Sequence, residues 1–230
     1  MTNPPLPPSS AELFEAIVNQ RRSVRAFLPQ PIAPELIERL FTIAGKAPSN
    51  CNVQPWITHV VSGSALSRVR ALLLEEAQGG RMDPDVPLTS HYVEQYQARR
   101  IGSAMTLFRA TGVERGDRDA RTRSFLRNYE LFDAPHAAFF FMPRYFGLRE
   151  AADIGLYVQT LMLALTAHGL GSCPQGAISH FSGALKRELG VSDDLICLFG
   201  LSFGNPDFSH ASAAAITDRA SLSELVVMHE

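Results

Sequence analysis

Cysteine is scarce in this sequence, and the few cysteines are far apart in the sequence. Cys51, Cys173 and Cys197 are the only cysteines among 230 residues, and none belongs to a Cys-x-x-Cys motif. This number and spacing exclude a small disulfide-stabilised domain and a zinc knuckle, and they fit a reducing compartment, so we expect a cytoplasmic protein. Nothing beside Cys51 or Cys173 indicates a reactive thiol, and both are predicted to be small, buried packing residues.

Long apolar segments are also absent. The most apolar helix-like run, from Leu156 to Leu165, carries Gln159 and Thr160 and is much shorter than the roughly 20 residues that a membrane span needs. Residues 1–8 have neither the basic nor the apolar region of a secretory signal. They are predicted to form a proline-stiffened arm, and no membrane partner is expected.

Neither sign of charge is in excess. The sequence has 21 lysines and arginines against 23 aspartates and glutamates, a formal net charge of -2. This balance argues against a broad surface for nucleic acid. The arginines between positions 99 and 127 alternate with acidic residues, which favours a solvated helical face or a subunit contact. Seven histidines show no His-Glu-x-x-His or other close pairing, so no metal site is predicted.

Hydrophobic periodicity predicts two helices near the start of the chain. Ser9 and Glu12 form a capping-box pattern before a helix that should end near Arg21. Pro34 suits the first position of a second helix, which stops before Pro48. A short extended linker is expected between these two helices.

The rest of the chain alternates between strands and helices. Residues 137–142, Ala-Ala-Phe-Phe-Phe-Met, are continuously apolar, which is typical of a central strand covered on both faces. The hydrophobic fraction of 46% is that of an ordinary globular protein, and no internal repeat or flexible linker is evident. We therefore predict one α+β domain over residues 1–230. Further strands are predicted at 55–62 and 195–203, and further helices at 65–77, 90–128 and 149–168.

The linker Arg-Arg-Ser-Val-Arg-Ala-Phe, residues 21–27, is the densest functional signal. If it is extended, its period of two places Arg21, Ser23 and Arg25 on one face and turns Val24 toward the interior. Two guanidinium groups and a hydroxyl would then suit a phosphate, because arginine binds phosphate oxygens bidentately. From these residues alone, a solvated basic turn after a helix is about as good an explanation.

The segment 47–56, Ala-Pro-Ser-Asn-Cys-Asn-Val-Gln-Pro-Trp, combines two prolines with short polar side chains. Carboxamides present a donor and an acceptor together, which matches the edge of a heterocycle such as a flavin. A turn whose side chains bond their own backbone is the commoner explanation for such a segment in isolation. Trp56 is predicted to belong to the core.

Residues 200–204, Gly-Leu-Ser-Phe-Gly, match the Gly-x-Ser-x-Gly nucleophile elbow of α/β-hydrolases. The context does not fit, because Asn-Pro-Asp at 205–207 cannot readily begin the required helix and only a short tail remains for the other triad members. Ser202 is therefore predicted to be an ordinary strand residue.

Four motifs in this order resemble the FMN-dependent nitroreductase family. The resemblance spans nearly the whole chain, and it is strongest to the branch of bacterial nitrobenzoate reductases. The motifs are Arg-Arg-Ser-Val-Arg at 21–25, Pro-Ser-x-x-Asn-x-Gln-Pro-Trp at 48–56, Gly-Leu-Gly-Ser-Cys-Pro-Gln-Gly at 169–176, and the late Arg219.

The resemblance implies a role for each matched position. One group would bind the FMN phosphate: Arg21, Ser23 and Arg25, with Arg22 close by and Arg219 as a further contact. A second group would line the flavin ring: Asn52, with Pro48, Ser49 and Gln54, and the stretch Pro174, Gln175 and Gly176. One departure concerns the phosphate group, because relatives often carry a second basic residue shortly before the late arginine, where this chain has Ile216 and Thr217.

The resemblance also implies a fold and an activity. The fold would be a mostly antiparallel central sheet flanked by helices, in an intertwined homodimer with flavin sites built from both chains. The activity would be ping-pong transfer of a hydride from NADH or NADPH, through FMN, to a nitroaromatic or quinone-type acceptor, with no catalytic side chain required. Other flavin chemistry on the same fold, namely reductive dehalogenation, enoate reduction or flavin fragmentation, stays open, as does a non-enzymatic FMN-binding protein.

Overall fold

The structure is a computed structural model that describes residues 9–88 and 91–230. The arm predicted for residues 1–8 lies outside the described residues. No helix in the described ranges is long and apolar enough to cross a membrane. The elements, in chain order, are α1 (Ser10–Gln20), α2 (Pro34–Ala44), β1 (Ile57–Ser62), α3 (Gly63–Gly79), α4 (Glu94–Ala110), α5 (Arg118–Leu126), β2 (His136–Pro143), α6 (Leu148–Ala167), β3 (Gly171–Gln175), α7 (Ser182–Leu189), β4 (Leu195–Gly204) and α8 (Leu222–Leu225).

The strands form one antiparallel sheet in the order β1-β2-β4-β3. β2 is therefore an inner strand, and its residues from His136 to Met142 are all buried. This confirms the central strand predicted from the apolar run at 137–142. The mostly antiparallel sheet flanked by helices also confirms the predicted fold class.

Successive side chains of β2 pack into two separate apolar layers, because neighbouring residues of a strand point to opposite faces of the sheet. Ala138 and Phe140 pack with residues of α2 and α6, including Leu40 and Leu161. The neighbouring Phe139 belongs to the other layer, which includes α3 and α7. The continuous apolar run of β2 thus reflects helices on both faces of the sheet.

Each helix and strand predicted within the described residues is present, but two of these predictions differ from the structure in detail. The helix after Ser9 forms, but the Ser9 side chain makes no capping hydrogen bond, so the capping box predicted with Glu12 was wrong. The Leu13 N–H instead bonds the Ser9 carbonyl at 3.1 Å. The single helical region predicted for 90–128 is two helices, α4 and α5, because the chain turns at Gly112, whose φ is +68°.

Strand β3 was not predicted, because Gly171 and Pro174 are poor strand formers. It forms through pairing with β4 over its whole length, with Cys173 opposite Ser202. On its other side, Ser23 of the linker makes a parallel bridge to Ser172. The sheet thereby holds the linker in the extended conformation that the sequence predicted.

Candidate functional site

An open cleft of about 1090 Å³ lies where the linker after α1 passes the end of α6 and the C-terminal segment. Its walls also include residues near the start of β3, such as Gly171. The cleft brings together the predicted phosphate group from positions far apart in the sequence. Its members here are Arg21, Arg22, Ser23, Arg25 and Arg219.

The linker reaches the cleft because its alternate residues are anchored to β3. The Val24 N–H donates to the Ser172 carbonyl at 2.9 Å, and the Val24 side chain is buried. A Cβ on Gly171 would lie 2.7 Å from Val24 Cγ2, so only glycine allows this close approach. With Val24 turned inward, Arg21, Ser23 and Arg25 are left for the opposite face, as predicted.

The cleft is strongly positive. Four arginines line it, and no carboxylate is found among the described lining residues. Burial lowers the pKa of Arg21, and the positive charge of Arg219 lowers it further. Such uncompensated arginines suit a phosphate dianion, which accepts charge-assisted hydrogen bonds from several donors at once.

Arg219 is oriented by the residues immediately before it. Its Nη1 donates to the Thr217 carbonyl and to Thr217 Oγ1, both at 3.1 Å, and to the Asp218 carbonyl at 2.7 Å. Thr217 occupies one of the positions where a second basic residue was expected. It therefore supports the late arginine through hydrogen bonds and supplies no charge of its own.

Two further contacts of the arginines were not predicted from the sequence. The guanidinium of Arg22 lies over the ring of Phe208, 5.1 Å from the ring centre, in cation–π geometry. The guanidinium of Arg25 donates to the Ser23 carbonyl at 3.4 Å. No short-range sequence signal marks Phe208, because it meets Arg22 only through the fold.

Two of the three cysteines are buried, and the third is exposed. Cys173, beside the cleft, is buried, and burial raises the pKa of its thiol to about 11 despite the opposing effects of Arg25, Ser23 and Arg21. This confirms its predicted packing role. The same prediction was wrong for Cys51, which is exposed, because its loop projects from the packed layers. In the described part of the chain, no cluster of His, Cys, Asp or Glu side chains could hold a metal ion.

The predicted flavin-ring residues of the segment 48–54 lie outside the basic cleft. Here the chain makes a tight turn, with Cys51, Asn52 and Gln54 at φ values of 49°, 58° and 49°. The Gln54 N–H donates to Ser49 Oγ at 3.0 Å. Asn52 and Gln54 are exposed, and so is Pro48, which precedes the turn. None of these groups is therefore among the residues that line the basic cleft.

The stretch Pro174, Gln175 and Gly176 also lies outside the cleft. The Gln175 side chain is buried, where it donates to the Asn128 carbonyl at 2.6 Å and accepts from the Ser202 hydroxyl. Its carboxamide is therefore occupied within the protein. Ser202 is a buried residue of β4, which confirms its prediction as a strand residue.

Comparison with known proteins identifies the protein family. The chain matches the nitroreductase family over residues 18–204. It is 38% identical over 215 residues to the nitroreductase NfnB of Mycolicibacterium smegmatis, covering 93% of this chain and 92% of that protein. It is 34% identical over 194 residues to the 4-nitrobenzoate reductase of Pseudomonas putida, covering 84% and 86% of the two chains.

A solved structure agrees with the sequence relatives. The crystal structure of the FMN-dependent nitroreductase NfnB from Mycobacterium smegmatis in complex with NADPH superposes with a TM-score of 0.92 and 37% identity. The superposition covers 96% of this chain and 99% of that chain. On its sequence and its fold, this chain belongs to the nitroreductase family.

Proposed function

We propose that this protein is an FMN-dependent oxidoreductase that uses NADPH or NADH to reduce nitroaromatic compounds. The observation that carries the proposal is the cleft in which four arginines meet without a carboxylate among the described lining residues. The relatives support the same function, because one is an FMN-dependent enzyme crystallised with NADPH and another is a 4-nitrobenzoate reductase. On the same grounds, NADPH is the hydride donor that we expect to be preferred.

The residues of the cleft fit the phosphate of FMN. Arg21 and Arg25 would bind its oxygens, and the Ser23 hydroxyl would add a neutral donor. Arg219, which hydrogen bonds to Thr217 orient, would contact the same phosphate from the side of the C-terminal segment. Because the positive charges are already assembled against their mutual repulsion, a bound dianion would relieve that repulsion.

The flavin ring would be held by the second group of residues. Exposed Asn52 and Gln54 would meet the ring with their carboxamides, beside Pro48 and Ser49. Since the buried Gln175 carboxamide is already bonded, the stretch from Pro174 to Gly176 would contribute backbone groups. The bound FMN would supply the hydride chemistry, and the chain would bind and orient it.

A homodimer would unite these two groups in one site. The loop at 48–54 is not among the residues that line the basic cleft of its own chain, which supports a site built from the cleft of one copy and the loop of another. Apolar side chains that a partner copy could cover are exposed on α1 and in the C-terminal tail. They are Leu13, Phe14, Val18, Leu222, Leu225, Val227 and Met228.

The free cysteines support a reducing compartment such as the cytoplasm.

The visible absorption spectrum tests this function. The purified protein should be yellow, or become yellow after incubation with FMN and removal of the excess. Anaerobic NADPH should bleach the flavin band, NADH should act more slowly, and 4-nitrobenzoate should restore the band. A protein that neither retains nor takes up FMN would refute the proposal, and a yellow protein that neither nucleotide bleaches would indicate a binding protein.

A further inference from the structure

The turn at residues 50–54 holds an unusual backbone conformation. Cys51, Asn52 and Gln54 all have left-handed φ values between 49° and 58°, and none of them is glycine. Side chains of L-amino acids disfavour this region, so it persists only where the surroundings enforce it. These residues are exposed, so their own packing does not enforce it. Hydrogen bonds within the turn, such as that from the Gln54 N–H to Ser49 Oγ, contribute to the restraint, and the ends of the turn supply a further part of it.

Both ends of the turn are held by one face of α6. At the entrance, the Asn50 N–H donates to Asp153 Oδ2 at 3.0 Å. At the exit, Trp56 stacks on Tyr157, with ring centres 4.8 Å apart and planes at 11°. Asp153 and Tyr157 are four residues apart, so they are neighbours on the helix surface. The helix thus contacts the chain on both sides of the strained residues.

Asp153 is an unexpected residue for this position. Asp153 is only 7% exposed. Within the described part of the chain, no lysine, arginine or histidine side chain forms an ion pair with its carboxylate. A buried carboxylate without a cation is costly, and its hydrogen bond with the Asn50 N–H offsets only part of that cost. An apolar residue would pack against the same layer without this cost. The carboxylate is therefore best explained by what it does to the loop.

We propose that Asp153 is a positioning residue that, together with Tyr157, fixes the turn so that Asn52 and Gln54 are preorganised for the flavin ring. This inference rests on the proposed function, because it assigns the ring to the turn. Asp153 acts through the backbone of Asn50 and does not touch the ligand. Its loss would weaken recognition of the ring while leaving the arginine cleft unchanged.

The first test follows the turn itself in the flavin-free, full-length protein. Hydrogen exchange of peptides covering residues 48–56 should be faster in Asp153→Ala than in the wild type, and Asp153→Asn, which keeps an acceptor oxygen, should restore most of the protection. Val158→Ala is the matched control, because it removes buried apolar packing from α6 and leaves the hydrogen bond of Asp153 and the ring contact of Tyr157 in place. Unchanged exchange in Asp153→Ala would overturn the proposal.

The second test separates the ring from the phosphate. FMN and riboflavin share the ring, and only FMN carries the phosphate. Asp153→Ala should weaken both ligands by a similar factor, on the order of tenfold, as expected for a lost hydrogen bond to a charged group. Arg21→Ala should weaken FMN alone. Wild-type affinity of Asp153→Ala for both ligands would overturn the positioning role while leaving the proposed function intact.

A variant in the loop tests the same hydrogen bond if the helix variants do not fold. Asn50→Pro removes the N–H that Asp153 accepts, and proline suits the first position of a helical turn. It leaves α6 and the core unaltered, so loss of riboflavin binding in this variant would support the proposal even if Asp153→Ala does not fold. Full riboflavin affinity in Asn50→Pro would contradict it. Failure of the wild type to bind either flavin would instead refute the proposed function on which the inference rests.

Discussion

Arg21 and Arg219, which lie near opposite ends of the chain, face one cleft with no carboxylate among its described lining residues. Burial lowers the pKa of Arg21, and the charge of Arg219 adds to that effect. Two cations held together without a counter-ion are unfavourable for the protein alone. Their arrangement is accounted for by an anionic ligand that binds between them.

Arg21→Ala should weaken the binding of FMN about 10- to 100-fold, the range expected when a charge-assisted hydrogen bond is lost. Riboflavin affinity should be unchanged. Quenching of flavin fluorescence measures both. Arg39→Ala, on the exposed surface of α2, is a control that should bind FMN normally. Equal FMN affinity in Arg21→Ala and the wild type would remove Arg21 from the phosphate site.

Arg219→Ala should separate stability from binding. Because it relieves the repulsion on Arg21, the flavin-free variant should unfold at a temperature no lower than the wild type. Added FMN should raise the unfolding temperature of the variant less than that of the wild type, since ligand stabilisation depends on affinity. Differential scanning calorimetry with and without FMN measures both effects. A clear loss of flavin-free stability would show that Arg219 has a structural role.

Gly171→Ala should damage the linker and the cleft together. Its new Cβ would meet Val24 Cγ2 at 2.7 Å, so the linker must move from β3, at a cost of about 1–3 kcal/mol in unfolding free energy. FMN affinity should fall as well, because Ser23 and its neighbours would shift. Gly102→Ala is the control, since a Cβ there meets nothing within 4 Å and the change favours helix α4. Normal FMN binding by a destabilised Gly171→Ala would contradict this link.

His136 should make the protein less stable at mildly acidic pH. The Ile32 N–H donates to its Nε2 at 2.8 Å, so Nδ1 carries the proton and donates to Ser62 Oγ at 2.6 Å. Burial lowers the pKa of His136, so its contribution to stability is complete above the unfolded pKa of about 6.5 and is lost as pH falls through the folded pKa.

Urea unfolding at pH 7.5 and 5.5 measures the effect of His136. The wild type should lose stability on acidification, and His136→Gln should lose less. The loss will not disappear, because burial also lowers the pKa of His59 and of His180. His168→Gln, an exposed control, should behave as the wild type. An unchanged pH dependence in His136→Gln would rule out His136 as a source of the loss.

Asp85 and Lys186 form a buried ion pair that should tolerate double but not single substitution. Their charged atoms lie 2.7 Å apart, and both side chains are almost fully buried. Burial would raise the pKa of Asp85, but hydrogen bonds from Lys186, the Cys197 N–H and Arg144 together lower it below its ordinary value. Asp85→Ala leaves the buried Lys186 with only the exposed Asp193, at 3.3 Å, as an ionic partner, and breaking a buried pair in this way typically costs about 3–5 kcal/mol.

A double-mutant cycle measures the coupling between this pair. Asp85→Ala combined with Lys186→Met should cost clearly less than the sum of the single changes. Arg68→Ala, which breaks an exposed pair with Glu188, should cost no more than about 1 kcal/mol. Additive losses in the cycle would show that the two side chains stabilise the fold independently.

Local patterns in the sequence determined most of the secondary structure. The apolar run at 137–142 predicted a central strand, because only helices on both faces make such a run favourable. The alternation in residues 21–25 predicted that Val24 would turn inward and that Arg21, Ser23 and Arg25 would share the other face; Val24 is buried, and those three residues line the cleft. The ordered motifs indicated the family. Strand β3 escaped prediction, because its pairing with β4 outweighs the poor propensity of Gly171 and Pro174.

Only the tertiary structure decided which residues share a site. It joined Arg219 to Arg21 and gave Thr217 a supporting role, while it left Asn52 and Gln54 outside the cleft. It also brought Asp153 and Tyr157 of α6 into contact with Asn50 and Trp56, on either side of those carboxamides. Propensity and periodicity act between residues close in sequence, whereas the electrostatic and steric contacts that build a site depend on distances in space. The sequence by itself therefore determined the elements and the family, and the packing of those elements decided the geometry of the site.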